Sequence, residues 1–307
     1  MTVSLVTPDA WNRVGQGYTS RFTPTLAAYA RTALSLVQPA ADAHILDVAA
    51  GPGTLALLAA PDVRRVSALD FSSGMIDRLR HDAAARGLTN VEAVVGDGQA
   101  LPYADESFDA AFSMFGLIFF PDRARGLREL LRVLRPGARA LVGSWAPMDP
   151  SSPPVILFEL FREALSESPP TFPRLPLTDA ESMRQELREA GFEQIQVSLV
   201  AHEFAAPSVE AFWQGQALAN VLFAGVLHAM TPTARDQVSE RVLHALRANL
   251  GDGEVRYLQT AGEFQDSCRL GNQACFALES AGSRSGLRQT TRTGFQLRVL
   301  PVQRSGW

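Results

Sequence analysis

Apolar and polar positions repeat in a fixed order along the first half of the chain. Trp11, Val14, Tyr18, Phe22, Leu26 and Tyr29 recur at helical spacing, which predicts helix within residues 1–40. The apolar run HILDVAA at 44–50 predicts a strand. A Gly-Pro-Gly turn follows, and TLALLAA at 54–60 then predicts the start of a helix. The order returns with a strand at 65–70, a helix at 73–87 that ends on glycine, and a third strand at 91–97. A fourth strand with its exit turn is predicted at 108–116, and a fifth at 138–145. Between them lies a helix at 121–137, closed by Pro136 and Gly137. Short strands alternating with helices predict an α/β fold: a doubly wound, mostly parallel sheet covered on both faces.

The rhythm changes after residue 145. Prolines crowd 146–177, around one predicted helix at 155–167. A helix at 179–191 leads to a strand at 193–204. Two longer helices, 208–230 and 234–251, interrupt the sheet pattern and read as a cap on the substrate side. The chain therefore divides into an N-terminal helical segment (1–40), an α/β core (41–145), further strands with a helical cap (146–261) and a tail (262–307). The tail is rich in Ser, Gly, Gln, Thr and Arg and has weak periodicity, so it is expected to be dispensable.

Composition narrows the function classes. The net charge of -4 gives no general attraction to nucleic acid or to an anionic membrane. All 28 basic residues are arginine, which excludes a Schiff-base lysine and a P-loop lysine. Cys268 and Cys275 have no histidines at metal-ligand spacing, so no metal is expected. The first residues lack the order of a signal peptide, and the apolar run at 110–120 is too short to span a bilayer, which needs ~20 residues. A cytoplasmic protein without membrane insertion is the expectation. Nothing in the pattern selects an oligomeric state.

Three segments carry polar groups to the ends of predicted parallel strands, where such sheets bind ligands. In DVAAGPG at 47–53, glycines permit a tight turn and close approach of the backbone to a ligand. The amides opening the next helix can hold an anionic group. Asp70 ends the second strand, where a carboxylate can accept from both hydroxyls of a ribose. In GDGQALP at 96–102, Asp97 can accept from an adenine amine, and the backbone of Gly98 and Gln99 can meet the ring edge.

These segments, with VVGDGQALPYADESFDAAFSMFGL at 94–117 and LRELLRVLRPGARALVGSW at 127–145, resemble the class I S-adenosylmethionine-dependent methyltransferases. The likeness is greatest to the small-molecule branch that includes the ubiquinone/menaquinone-biosynthesis C-methyltransferases. It implies a seven-stranded Rossmann-like sheet and S-adenosyl-L-methionine as cofactor. It places Asp47, Gly51 and Gly53 around the cofactor's methionine part, Asp70 on the ribose, and Asp97 and Gly98 at the adenine. Ser113 and Phe115 would lie beside the methionine end and face the substrate. Ala49 departs from the pattern, standing where many members have a third glycine. The final strand of such a sheet is expected within 253–261, running antiparallel.

The implied reaction is in-line displacement of a methyl group onto a small molecule. His202 and His228 are the candidates for a catalytic base, if one is needed. Phe119, Phe120, Phe212, Trp213 and Phe223 suggest a largely apolar substrate, with the core of the cap as the competing reading. Trp11 and Tyr18 would close the first helix over the cofactor, or else belong to the core. Two other functions stay open. One is a protein of this fold that binds the cofactor without transferring methyl. The other is a dinucleotide-dependent oxidoreductase, since GPGTLA at 51–56 satisfies the G-x-G-x-x-G/A fingerprint.

Overall fold

Seven strands form one sheet in the order β3-β2-β1-β4-β5-β7-β6. The computed structural model describes residues 6–21, 23–165 and 179–267, all within one compact unit. The strands are β1 (His44–Val48), β2 (Arg65–Asp70), β3 (Val91–Val95), β4 (Phe108–Met114), β5 (Leu134–Trp145), β6 (Glu193–Ala206) and β7 (Val255–Ser267). The first five run parallel, and β7 lies antiparallel between β5 and β6. Strand order reverses beside β1, where β2 pairs on one side and β4 on the other. The carboxyl ends of these strands open a crevice on one edge of the sheet.

Both faces of the sheet are buried, which explains why its strands read as nearly continuous apolar runs. Ile45, Val66, Ala68, Ala110 and Phe112 pack beneath α2 (Thr23–Val37), α3 (Thr54–Ala59) and α4 (Ser73–Ala85). Leu46, Val48, Leu69, Phe108 and Ala111 face the other layer, with α5 (Arg123–Arg132) and α7 (Ala180–Ala190). Ser72 and Asp122 start α4 and α5 by accepting from the backbone N–H groups of Met75 and Arg125. A third cluster joins α6 (Pro153–Ala164), α8 (Val209–Ala219), α9 (Val221–His228) and α10 (Pro232–Leu250) into the cap. The N-terminal helix α1 (Pro8–Arg21) packs against α4, α8 and α9.

The sequence reading differs from the structure at three places. The helix expected at 208–230 is two, because Asn220 leaves helical backbone and accepts from Leu222 N–H to cap α9. The helix expected at 121–137 stops at Arg132 and the strand expected at 138–145 begins at Leu134, so Pro136 and Gly137 lie in β5 rather than closing the helix; buried Leu134 pairs with Phe108 ahead of a register shift. Most consequentially, β7 continues to Ser267, six residues past the expected boundary at 261. Gly262 and Glu263 pair with β5 on one side and β6 on the other. Residues 262–267 therefore belong to the sheet rather than to a dispensable tail. The readings made for residues 268–307, including Cys268 and Cys275, and for Phe22 lie outside the described residues, as does the reading made for the side chain of Tyr18. Among the described residues, no helix is long and apolar enough to cross a membrane.

Candidate functional site

A cavity of about 580 Å³ opens at the carboxyl ends of β1 to β4 and continues beneath the cap. Gly51, Asp70, Gly96, Asp97, Gly98 and Gln99 line one half of it. Asp70, 5% exposed, accepts from Gly51 N–H at 2.8 Å and Ser72 N–H at 2.9 Å. Its carboxylate therefore clamps the turn after β1 to the end of β2. A carboxylate offers about four acceptor sites, more than these amides fill, so capacity remains for a ligand. Burial pushes Asp70 up to about 6, while the backbone amides of Ser72, Gly51 and Phe71 pull the other way.

The turn after β1 uses left-handed backbone at Ala49, Gly51 and Gly53, with φ of 57°, 55° and 82°. Gly51 lines the cavity, and nothing lies within 4 Å of where its Cβ would stand, so a ligand can approach the backbone. At Gly53 a Cβ would collide with Leu79 of α4. Gly53 lies outside the cavity lining and serves the packing of α3 on α4. Asp47 does not face the cavity either. It is buried below the turn and accepts from Ala56 N–H in α3 at 3.2 Å. Burial, with Asp70 nearby, pushes Asp47 up to about 7.

Asp97 takes one of its oxygens to Gln99, accepting from the backbone N–H at 2.8 Å and from Nε2 at 3.0 Å. The other carboxylate oxygen remains available beside the cavity. A Cβ on Gly98 would collide with Phe120, so this glycine lets an aromatic wall close on the loop. Ser113 is fully buried with no partner for its hydroxyl and stays one residue short of the lining, which Met114 and Phe115 provide. Structure thus brings Gly51, Asp70, Asp97 and Gly98 together, and sets Asp47, Gly53 and Ser113 behind them.

Residues 45–137 match the family described as methyltransferase domain. That match covers less than a third of the chain, and the seven-stranded sheet around it has the Rossmann-like fold seen in methyltransferases. A demethylmenaquinone methyltransferase of Corynebacterium kroppenstedtii is 37% identical over 147 residues, 48% of this chain and 59% of that protein. One of Clavibacter sepedonicus is 40% identical over 136 residues, 43% of this chain and 53% of that protein. The matched segments thus span somewhat over half of these relatives' length. The crystal structure of the YcgJ protein from Bacillus subtilis shares the fold, with a TM-score of 0.53 and 20% identity over 79% of this chain and 98% of that one.

The second half of the cavity lies between the α/β core and the cap. Phe115 forms part of its wall with φ of 62°, a strained conformation for a non-glycine residue. Its ring stacks on Trp145 at 3.9 Å between centroids, and Tyr29 meets both rings edge-on. Trp11 of α1 lines the cavity and packs edge-on against Phe119 at 4.9 Å. Phe119 and Phe120 line it too, as the aromatic pattern suggested. Phe212, Trp213 and Phe223 do not. They are at most 4% exposed and form the core of the cap, because α8 and α9 turn these residues toward α6 and α10.

Neither candidate base reaches the cavity lining. His202 sits on β6 with its ring edge-on to Tyr29 at 4.5 Å, and burial lowers its pKa. His228 is exposed in the last turn of α9. Sequence reasoning missed Gln216, Tyr257 and Gln259, all of which line the second half. Gln216 carried a readable signal: it interrupts the apolar stripe Val209, Phe212, Trp213, Ala219 on the buried face of α8.

Proposed function

We propose that the chain transfers a methyl group from S-adenosylmethionine to a small, largely apolar molecule. The observation that carries this reading is Asp70, a buried carboxylate holding the Gly51 turn with acceptor sites to spare beside an open cavity. The residues present fit that cofactor. Asp70 would accept from the ribose hydroxyls, Gly51 leaves room for the methionine part, and Asp97 with Gly98 would meet the adenine. When bound, the cofactor supplies an electrophilic methyl group on a sulfonium.

The chain's contribution is alignment and exclusion of water. Trp11, Phe119 and Phe120 wall the cavity from solvent, and the Phe115–Trp145 stack gives a flat apolar surface for an acceptor. Holding two reactants in line can be worth ~7–11 kcal/mol. The relatives' names make demethylmenaquinone the first acceptor to try.

Calorimetric titration with S-adenosylmethionine tests the reading. Wild type is expected to bind, and Asp70→Ala to bind about 10- to 100-fold more weakly, since hydrogen bonds to a charged group contribute about 1.5–3 kcal/mol. Binding of a nicotinamide dinucleotide in place of S-adenosylmethionine would overturn it. Turnover of bound cofactor with an acceptor separates a transferase from a protein that only binds.

A further inference from the structure

The second half of the cavity is apolar except at one corner. There Gln216 of α8 lines it, as do Tyr257 and Gln259 of β7. Tyr257 packs edge-on against Phe212, one helical turn before Gln216 on the same face of α8. The amide orientation of Gln216 is fixed from a backbone N–H. Leu222 N–H donates to Asn220 Oδ1 at 3.0 Å, which turns Asn220 Nδ2 toward Gln216. Asn220 Nδ2 then donates to Gln216 Oε1 at 3.3 Å, which leaves the Gln216 NH₂ as its free end. That NH₂ and the Tyr257 hydroxyl make no hydrogen bond among the described residues, although both side chains line the cavity.

The corner therefore offers donors. The lining contains no histidine, arginine or glutamate among the described residues; Asp70 and Asp97, its two carboxylates, stand in the cofactor half. We propose that Gln216 and Tyr257 hold an anionic oxygen on the methyl acceptor, an apolar ring molecule whose enol or phenol has ionised before it binds. Such a ligand needs donors to hold its oxygen and needs no base, because its proton goes to water beforehand. Burial raises Tyr257 above the ordinary tyrosine range, so its hydroxyl stays a donor. The flat Phe115–Trp145 stack on the same cavity suits the ring. This assignment rests on the proposed function, since it takes the other half of the cavity as the cofactor's.

The test is calorimetry on full-length protein saturated with S-adenosylhomocysteine. Two ligands are compared: a hydroxynaphthoquinone whose enol is ionised at neutral pH, and the parent naphthoquinone. Wild type is expected to bind the ionised compound at least about tenfold more tightly. Tyr257→Phe and Gln216→Leu should erase that preference. Gln216→Glu keeps the shape but replaces the donor with a charge, and should abolish binding of the ionised compound alone. Thermal melts of each variant and its titration with S-adenosylhomocysteine check that fold and cofactor half are intact. Equal affinities in wild type, no binding of either compound, or variants that keep the preference would overturn the assignment. Failure of wild type to bind S-adenosylhomocysteine would instead sink the proposed function, and this assignment with it.

Discussion

Two neighbouring residues of the first turn show how much one methyl group decides. Gly53 and Ala49 both have left-handed backbone. At Gly53 an added Cβ meets Leu79, so strain and overpacking act together. Gly53→Ala should destabilise the protein by about 2–4 kcal/mol, read by chemical denaturation. Ala49 already carries the methyl, and it is accommodated because Gly116 opposite has none. Ala49→Gly relieves about 1–2 kcal/mol of backbone strain and costs part of that in unfolded-state entropy. Its expected outcome is a melting temperature equal to wild type or slightly higher. Glu263 is a third case. It is 1% exposed, both oxygens lack partners, and burial pushes it up to about 8. The folded state then keeps a proton that the unfolded chain releases near the ordinary glutamate value. Its contribution is full below about pH 4.5 and is lost as pH rises toward 8, by up to about 1.4 kcal/mol per unit. Glu263→Gln should therefore gain stability relative to wild type as pH rises from about 5 to 8. A constant difference in melting temperature across that range would refute this.

Elements were legible where one period dominated. β1, β2 and α4 could be read because an apolar run, an acid and a capped helix follow one another within 44–85. The break between α8 and α9 was not, because apolar spacing continues through Asn220 and the capping bond is local. Likewise Asp47 and Asp70 look alike in sequence, each near the end of a parallel strand. Tertiary structure separates them: one is spent on α3 beneath the turn, the other borders the cavity. The end of β7 escaped notice because GEFQDS has weak alternation and ordinary composition, and its place is set by partners on both sides. A chain ending at residue 261 should consequently fail to fold or melt well below one ending at 267. Equal melting of the two truncations would show that residues 262–267 contribute nothing to the sheet.

At the scale of the whole molecule, the α/β half was readable from the sequence because its strands alternate with helices at short spacing and, apart from the crossover from β3 to β4, each of its strands pairs with the next in the chain. The cap half was not, since its cavity-facing residues come from α8, β6 and β7, brought together by long-range pairing. The position of β7 has a consequence for synthesis. Between β5 and β6 there is a gap that only the last strand fills. From the end of β6 at Ala206 to the end of β7 at Ser267 the ribosome must add roughly 60 residues, about 3–12 s of elongation. During that interval β5 presents an unpaired edge and β6 has nothing to join, a state open to wrong pairing between nascent chains. The α/β half can acquire its turn and its Asp70 clamp early. Tyr257 and Gln259 arrive with the closing strand, so among the described residues the cap-side half of the cavity is the last part to come into being.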